Sequence, residues 1–280
     1  MTIKEALELA KQSLDNIEAK VLLKHILKKD NSYIIANSNK NISNECEQEL
    51  LNLLNKINDG YPLQYITHHQ EFMGLDFEVN ENVLIPQPDT EVLVENAIKF
   101  VLGYNKNNNL KESHKTEQDA TLKILDLCTG SGAIAISLKK YLPNVQVFAS
   151  DISEEALKVA KINSKKNDVQ IEFIKSNMFE NIKEKFDIIV SNPPYIKSNE
   201  ILKLSKQVQN EPKLALDGGK DGLDFYRIIA KEVTDYLNNG GAVFLEIGFD
   251  QGQAVAEMFK NSKIIKDYAG NDRVMVWITN

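Results

Sequence analysis

The stretch "LKILDLCTGSGAIAISLKKYL", residues 122–142, decides the predicted fold. It opens with the branched apolar residues of a buried strand, turns at two glycines and continues as a helix. Gly130 and Gly132 allow a tight turn and a close approach of a ligand to the backbone, and the helix opens with free N–H groups. A nucleotide-like cofactor fits such a turn. The turn lacks the three-glycine spacing of dinucleotide-binding proteins, however, so it also fits a plain strand-to-helix connection.

Strands and helices alternate from residue 122 onward. The predicted strands have the sequences LKILDL, VQVFAS, VQIEFIK, FDIIVS, GAVFLEIG, SKIIKDY and RVMVWIT. This alternation predicts an α/β fold, with a mostly parallel sheet and helices on both of its faces. A short "AGND" turn joins the last two strands, so we expect the sheet to finish in an antiparallel pair. Residues 104–121, before the first strand, are polar and aperiodic and are predicted to form a flexible loop.

The chain before the sheet has a different pattern. Residues 1–68 are predicted to form a small helical domain, with capping-box spacing at "TIKE" and a helix from Ser43 to Asp59. Residues 69–88 contain short alternating apolar runs around Gly74, which predict a β-hairpin hinge. The remaining residues, 89–280, then form the domain that contains the sheet.

The composition limits the classes of protein to which the chain can belong. Its 280 residues are 42% apolar and its mean hydropathy is −0.32, as expected of a soluble protein with a sizeable core. No apolar run has the length of a membrane span, and the N-terminus lacks a signal-peptide pattern, so we expect a cytoplasmic protein without membrane attachment. The net charge of −7 argues against a stable nucleic-acid partner. Two distant cysteines and four histidines show no metal-ligand spacing, so no metal is expected.

Polar residues follow the next strands, at the sheet edge where ligands of such folds bind. Asp151 ends the second strand, where a carboxylate can accept hydrogen bonds from both hydroxyls of a ribose. It could instead cap the next helix, although Ser153 is also placed for that role. Asn177 and Met178 follow the third strand, where they could flank an adenine ring. Met178 would also fit a core position.

The fourth strand ends in "SNPPYI", residues 191–196. Two consecutive prolines fix the backbone, so Asn-Pro-Pro-Tyr beside a cofactor turn is a specific signal, with a plain turn as the alternative. Together with "DLCTGSG" and "SDISEEAL", this motif resembles the class I S-adenosylmethionine-dependent methyltransferases, which have a Rossmann-like, seven-stranded fold. The four residues Asn-Pro-Pro-Tyr, 192–195, are similar to the motif of enzymes that methylate a planar amide or an exocyclic amino nitrogen.

Three longer segments resemble one particular family among these methyltransferases. They are PLQYITHHQEFMGLDFEVNENVLIPQPDTEVLVE (residues 62–95), EPKLALDGGKDGLDFYRIIA (residues 211–230) and LEIGFDQGQAV (residues 245–255). They resemble the HemK/PrmC family of protein-(glutamine-N5) methyltransferases, and the resemblance extends from about Tyr61 to the end. That family methylates the Gly-Gly-Gln glutamine of peptide chain release factors, which act in translation termination. The resemblance thus implies this activity, S-adenosylmethionine as cofactor and release factors as partners. We expect the helical domain to dock the protein substrate, because the hinge would place it beside the site.

The resemblance also implies roles for single residues. Asn192 would accept one N–H of the substrate amide and the carbonyl of Pro193 the other, while Tyr195 would stack on the amide plane. These three residues would be catalytic, and Pro194 would join them in binding the substrate. The implied cofactor-binding residues are Cys128, Thr129, Gly130, Ser131, Gly132, Asp151, Asn177, Met178 and Asn192. No strong general base is required, because the methylated amide is very acidic until it loses its proton.

Four positions depart from the family pattern. Where this chain has Gln87 and Asp89, the family usually has Arg and Glu. Where it has Cys128 and Asn177, the family commonly has Gly and Asp. None of the four lies in the Asn-Pro-Pro-Tyr motif. Gln87 lacks the positive charge of the usual arginine, however, so how the substrate is bound stays open. The alternatives are a glutamine methyltransferase of a ribosomal protein, an adenine-N6 methyltransferase of DNA or RNA, and a binding protein without turnover. The sequence indicates neither an oligomeric state nor a preferred release factor.

Overall fold

The computed structural model describes residues 1–109 and 121–279. The α-helices are α1 (Ile3–Ala10), α2 (Asn16–Leu27), α3 (Asn31–Ala36), α4 (Asn44–Asn58), α5 (Leu63–Thr67), α6 (Pro88–Asn109), α7 (Ala133–Tyr141), α8 (Glu154–Lys166), α9 (Lys206–Gln209), α10 (Lys213–Leu216), α11 (Asp224–Glu232) and α12 (Gly252–Met258). The strands are β1 (Gln70–Phe72), β2 (Leu75–Phe77), β3 (Lys123–Leu127), β4 (Gln146–Asp151), β5 (Glu172–Lys175), β6 (Phe186–Ser191), β7 (Leu237–Glu246), β8 (Lys263–Lys266) and β9 (Asp272–Ile278). Short 3₁₀ helices span Ile201–Lys203 and Val233–Tyr236. No helix in the described ranges combines the length and apolarity needed to cross a bilayer.

The chain divides into two compact units. The first combines Met1–His69 with Leu204–Asn210, and the second combines Gln70–Lys203 with Glu211–Asn280. The first unit contains α1 to α5 and α9, whereas the strands belong to the second. A hinge at residues 69–88 and a docking role for residues 1–68 stay predictions.

Side-chain caps and a small apolar core stabilise the helical unit. The hydroxyl of Thr2 accepts a hydrogen bond from the Glu5 N–H, and the Glu5 carboxylate accepts one from the Thr2 N–H, which forms the predicted capping box. Ser43 caps the start of α4. The buried core consists of Ile3, Ala6, Ala10, Ala19, Leu22, Leu23, Ile26, Ile34, Leu50, Leu54 and Leu63. Burial of each large side chain contributes about 1.5–3 kcal/mol, which offsets the loss of conformational entropy in these short helices.

The seven-stranded sheet has the order β5-β4-β3-β6-β7-β9-β8. The pairs from β5 to β7 are parallel, whereas β9 is antiparallel to both β7 and β8. The predicted mostly parallel sheet with an antiparallel end is therefore confirmed. The chain winds from β3 through β4 to β5 and then returns to β6 on the other side of β3. Such a reversal opens a crevice at the carboxyl ends of the two central strands.

Two hydrophobic clusters cover opposite faces of this sheet. Ile124 and Val190 belong to the cluster that includes residues of α6 and α7. Leu125 and Ile189, their neighbours in sequence, belong to the cluster that includes residues of α11 and α12. Successive residues of a strand point to opposite faces, so the central strands are buried on both sides. This explains why they have continuous apolar runs.

Helix α6 extends farther than the sequence predicted. Residues 104–109, expected in a loop, are helical, and residues 110–120 of that predicted loop lie outside the described residues. Leu93, Ala97 and Val101 form a buried stripe along the first half of the helix. Adding residues to an established helix costs far less free energy than starting one. The anchored helix can therefore continue into a polar segment.

The β1–β2 hairpin is closed by Met73 and Gly74, whose φ angles are +52° and +69°. Two positive φ angles are typical of the type I′ turn, which matches the twist of the strands. After the hairpin, the Glu78 N–H donates to Asn163 Oδ1 at 2.6 Å, while Asn163 Nδ2 donates to the carbonyls of Glu78 and Ser131 at 2.9 Å. Helix α8 thus holds both the chain after the hairpin and the glycine turn.

Candidate active site

A cavity of about 270 Å³ lies at the carboxyl ends of β3, β4, β5 and β6. The predicted site residues that line it are Cys128, Thr129, Gly130, Ser131, Asp151, Asn177, Met178, Asn192 and Pro194. Gly132, Pro193 and Tyr195 do not line it. The topology therefore brings residues separated by up to 66 positions in sequence, from Cys128 to Pro194, to one crevice.

Residues 128–132 form the turn between β3 and α7. Cys128, Gly130 and Gly132 have φ angles of +64°, +53° and +82°. A Cβ atom at Gly132 would lie 3.0 Å from the Ile136 side chain, so glycine permits the close packing of this turn. The Cys128 sulfur lies 3.9 Å from the Met178 sulfur. Burial raises the pKa of the Cys128 thiol, which keeps the thiol neutral at pH 7.

Asp151 ends β4 at the cavity. Its Oδ2 accepts a hydrogen bond from the Gly130 N–H at 2.9 Å, and its Oδ1 accepts one from the Ser153 N–H at 2.9 Å. The Ser153 hydroxyl accepts from the Ala156 N–H at 3.1 Å and so caps α8. Burial raises the pKa of Asp151, and the two N–H groups act against that rise. Each oxygen of Asp151 retains a lone pair for a ligand hydroxyl.

Asp126 supports the same turn from inside the sheet. Its Oδ2 accepts hydrogen bonds from the Thr129 hydroxyl at 2.5 Å and from the Ala135 N–H at 3.1 Å. Its Oδ1 has no hydrogen-bond partner among the described residues. Burial raises the pKa of Asp126 to about 7. Asp126 thus connects the turn to the first residues of α7 and does not line the cavity.

Met178 and Asn177 follow β5 and have different surroundings. Met178 has a φ of +47° and is buried in the cluster that contains Phe148, so it is a core residue as well as a cavity wall. Asn177 is exposed, and its Nδ2 donates to Glu180 Oε1 at 2.8 Å. An aspartate, the usual family residue, could not donate to that carboxylate. The departure at this position therefore has a local partner.

Asn192 follows β6, directly after Ser191. The Ser191 hydroxyl donates to the Leu127 carbonyl at 2.5 Å, which connects the ends of β6 and β3. The Nδ2 of Asn192 donates to the Thr90 hydroxyl at 3.2 Å. Thr90 lies in the first turn of α6, is 5% exposed and also lines the cavity. The sequence did not predict this partner, because nothing in it relates residue 90 to residue 192.

Tyr195 contacts a buried carboxylate at the end of β7. Its hydroxyl donates to Glu246 Oε1 at 3.4 Å, and its ring packs against the cluster that includes α11. Glu246 is 2% exposed, and burial raises its pKa to about 7. The Thr90 hydroxyl and the charge of Arg273 act against this rise. The stacking role of Tyr195 on a substrate amide stays a prediction.

Arg273, at the start of β9, lies between two carboxylates. Its Nη2 is 2.9 Å from Asp89 Oδ2 and 3.1 Å from Asp267 Oδ2, and its side chain is 11% exposed. A guanidinium that is so largely buried is stabilised by paired carboxylate acceptors. Asp89, one of the departures from the family pattern, therefore still supplies a carboxylate to this arginine.

The backbone after the two prolines is held from outside the motif. Gln251 Nε2 donates to the carbonyls of Tyr195 at 2.9 Å and Gly222 at 3.2 Å, and its Oε1 accepts from the Gly248 N–H at 2.9 Å. A Cβ atom at Gly222 would lie 2.4 Å from the Tyr195 carbonyl oxygen. Only glycine fits there, which explains one glycine of the segment at residues 211–230.

Two segments line the cavity without having been predicted, residues 81–87 and residues 212–215. Glu211 Oε2 accepts a hydrogen bond from the Ile85 N–H at 2.9 Å and so connects them. Glu211 is 7% exposed, and burial raises its pKa to about 7. Gln87 is exposed, and its Nε2 donates to the Ile85 carbonyl at 3.1 Å. Both segments lie within the stretches that resemble the family. That resemblance was the only feature of the sequence that could have pointed to their place in the site.

The site combines groups of three chemical kinds. A carboxylate with spare lone pairs stands at one strand end, an amide side chain at another, and apolar walls lie between them. Within residues 1–109 and 121–279, no group of three or more His, Cys, Asp or Glu side chains could hold a metal ion. Such a cavity suits an organic ligand with hydroxyl groups and a planar apolar part.

Two family models match the sequence. The PrmC N-terminal domain matches residues 2–67, and the methyltransferase small domain matches residues 109–220. A release factor glutamine methyltransferase of Clostridium acetobutylicum is 40% identical over 294 residues, covering 99% of this chain and 98% of that relative. One of Moorella thermoacetica is 37% identical over 289 residues, covering 98% of this chain and 97% of the relative.

The solved structures agree with the fold. A methyltransferase from Pyrococcus furiosus superimposes with a TM-score of 0.52 at 20% identity, covering 82% of this chain and 98% of that one. This similarity supports the α/β methyltransferase fold alone. The alignments with relatives extend over almost their whole length and include both units. The chain therefore belongs to the release factor glutamine methyltransferase family.

Proposed function

We propose that this protein transfers a methyl group from S-adenosylmethionine to the side-chain amide nitrogen of the glutamine in the Gly-Gly-Gln motif of peptide chain release factors. The observation that carries the proposal is the position of Asn192 on the same cavity as Asp151 and the glycine turn. It places an amide acceptor beside a pocket suited to a nucleoside. The relatives of that name, aligned over almost the whole chain, support the choice of glutamine.

The residues of the cavity fit the proposed cofactor. Asp151 has a free lone pair on each oxygen, as the two hydroxyls of a ribose require. Nothing lies within 4 Å of the position of a Cβ at Gly130, so the turn leaves room for a ligand against its backbone. Met178 and Ile152 supply apolar surface for an adenine ring. When bound, S-adenosylmethionine supplies an electrophilic methyl group on a positively charged sulfur.

Asn192 and Pro193 would prepare the glutamine for attack. The nitrogen of a primary amide is a weak nucleophile, because its lone pair is delocalised into the carbonyl. If Asn192 Oδ1 and the Pro193 carbonyl each accept one N–H, they fix the direction of the nitrogen and stabilise the positive charge that develops on it. Loss of one preorganised partner of this kind costs roughly 3–4 kcal/mol of barrier. The two prolines restrict the backbone around that carbonyl, and Gln251 holds the Tyr195 carbonyl two residues later.

The charge of the chain favours a protein substrate over a nucleic acid. The net charge is −7, and binding to a phosphate backbone requires clustered cations. The proton of the methylated amide can leave to water, since the cation is strongly acidic. Accordingly, no side chain is assigned as a general base.

The proposal is tested with labelled S-adenosylmethionine and purified release factors, either unmodified or with the Gly-Gly-Gln glutamine replaced. We expect one methyl group, mapped by mass spectrometry to that glutamine, and none on the replaced factor. Asn192→Ala should lower kcat at least ~100-fold while S-adenosylmethionine binding, measured by calorimetry, stays within about threefold. The loss follows from removal of one of the two acceptors.

The matched control is Asn199→Ala, because Asn199 is an exposed asparagine in the loop after the motif. This variant should methylate at the wild-type rate. Label on a ribosomal protein or on RNA, with none on a release factor, would refute the proposed substrate. Wild-type turnover in Asn192→Ala would refute the proposed role of its side chain.

A further inference from the structure

Asn192 has a hydrogen-bond partner outside the Asn-Pro-Pro-Tyr motif, the Thr90 hydroxyl. Asn192 Nδ2 donates to Thr90 Oγ1 at 3.2 Å, and both residues line the cavity. Thr90 is 5% exposed, so water has little access to its hydroxyl. No hydrogen bond to Asn192 Oδ1 forms within the described part of the chain. The side chain therefore has one fixed end and one end available to a substrate.

The Thr90 hydroxyl also interacts with a buried carboxylate, that of Glu246. Glu246 is 2% exposed, its Oε1 receives the Tyr195 hydroxyl, and its Oε2 has no partner among the described residues that meets hydrogen-bond geometry. The Thr90 hydroxyl favours the charged form of Glu246 and so acts against the rise in its pKa that burial causes. A hydroxyl has one hydrogen and two lone pairs. If the hydrogen points to Glu246, only lone pairs remain for Asn192.

We propose that Thr90 is a positioning residue: its hydroxyl donates to Glu246 and accepts from Asn192 Nδ2, which forces Asn192 Oδ1 toward the substrate amide. A flipped amide would present Nδ2 to the substrate, so that two donors would face each other. The chain of bonds from Glu246 through Thr90 to Asn192 thus selects the one rotamer that can accept an N–H. This inference rests on the proposed function, because the accepted N–H belongs to the substrate glutamine.

Thr90→Val tests the inference, since valine keeps the shape of threonine and removes the hydroxyl. We expect kcat for release factor methylation to fall at least ~10-fold, with S-adenosylmethionine affinity and KM close to wild type. The melting temperature should fall modestly, because Glu246 and Asn192 each lose a partner. Thr90→Ser, which restores the hydroxyl, should recover kcat to within about threefold of wild type. Ser137→Ala is the matched control, because it removes a buried hydroxyl in α7 that does not line the cavity.

Glu246→Gln gives the second test. Its amide can donate to Thr90 Oγ1, which would turn the Thr90 hydrogen toward Asn192 and reverse the chain of bonds. We expect a kcat at least ~10-fold lower, in a protein that is at least as stable as wild type, because a buried charge has been removed. A wild-type kcat in Thr90→Val or in Glu246→Gln, or equal losses in Thr90→Val and Thr90→Ser, would overturn the inference.

A measurement without substrate separates this inference from the proposed function. In the ¹⁵N-labelled full chain, the Asn192 side-chain resonances are assigned by their loss in Asn192→Asp. We expect them to shift in Thr90→Val and to stay in place in Thr90→Ser; unchanged resonances in Thr90→Val would overturn the inference. If the Asn192 resonances shift in Thr90→Val and not in Thr90→Ser, but the wild-type protein methylates no release factor, the proposed function fails and the positioning by Thr90 stands.

Discussion

Cys128 shows how one backbone angle limits the choice of side chain beside the cavity. Its φ of +64° is left-handed, where a Cβ atom costs about 1 kcal/mol and a β-branched side chain costs more. We therefore expect Cys128→Gly to keep the melting temperature and S-adenosylmethionine affinity, because relief of this strain offsets the lost contact with Met178. Cys128→Val should lose about 2 kcal/mol of unfolding free energy and bind the cofactor more weakly.

Denaturant unfolding and calorimetry on both variants check this order. Cys128→Ala is the control, because it keeps the strained backbone and removes only the sulfur. Equal stability of the valine and cysteine proteins would contradict the role of the backbone angle.

The role of a single residue could be predicted from the sequence only where the residue type and its position after a strand were enough to indicate it. Asp151 and Ser153 lie at the end of a strand. In the structure Ser153 caps α8, and Asp151 lines the cavity. Thr90 and Glu211 were missed. Their roles depend on contacts with Asn192 and Ile85, which are 102 and 126 positions away. Only the three-dimensional path of the chain creates such pairs.

At the scale of elements, the start of α12 holds the loop that contains Tyr195. Gln251 precedes this helix, is 5% exposed and bonds three backbone groups of three separate segments. Gln251→Ala would leave those groups without partners. We expect it to lower unfolding free energy by about 2–3 kcal/mol and to lower kcat more than S-adenosylmethionine affinity.

Gln253→Ala is the matched control for that variant. Gln253 lies two residues later in α12, is exposed, and its Nε2 donates a hydrogen bond to Glu257 Oε1 at 3.1 Å. Its removal should change neither quantity. If both glutamine variants behave alike in kinetics and denaturant melts, the loop does not depend on α12.

The elements themselves were largely predictable, and their limits were not. Apolar runs predicted the seven strands of the large sheet, because central strands are buried on both faces. Strand β7, however, begins at Leu237, four residues before the predicted start at Gly241. The polar Asn238 is included because its Nδ2 donates to Asp187 Oδ1 at 2.9 Å on the neighbouring strand. A cross-strand bond of this kind has no signature in the local sequence.

For the whole molecule, buried carboxyl groups predict a pH dependence of stability. Burial raises the pKa values of Asp126, Glu211 and Glu246 to about 7. Below pH 4 these groups are protonated in both states, and between about pH 4.5 and 7 only the folded state retains the protons. The stabilisation is thus present at low pH and is lost as the pH rises through 7. His25, whose pKa burial lowers, acts in the opposite direction near pH 6.5.

Glu211→Gln isolates one of these groups, because glutamine can still accept from the Ile85 N–H without a charge. We expect it to raise unfolding free energy at pH 8 by up to about 3 kcal/mol and to change it little at pH 4.5. The exposed Glu49→Gln is the control. Denaturant titrations at the two pH values measure both, and a gain confined to pH 4.5 would reverse the predicted sign.

The position of β9 has a consequence for how the protein is made. Residues 272–278 pair between β7 and β8, and Arg273 reaches Asp89, the neighbour of Thr90. A ribosome delivers the chain from its N-terminus, so the strands of the parallel sheet emerge while one edge of β7 still lacks its partner. Until Arg273 has left the exit tunnel, α6 has no ion pair at its first turn, and the exposed edge can pair with other chains. The antiparallel end of the sheet is therefore completed only when β9, which follows the other strands in the sequence, enters between β7 and β8.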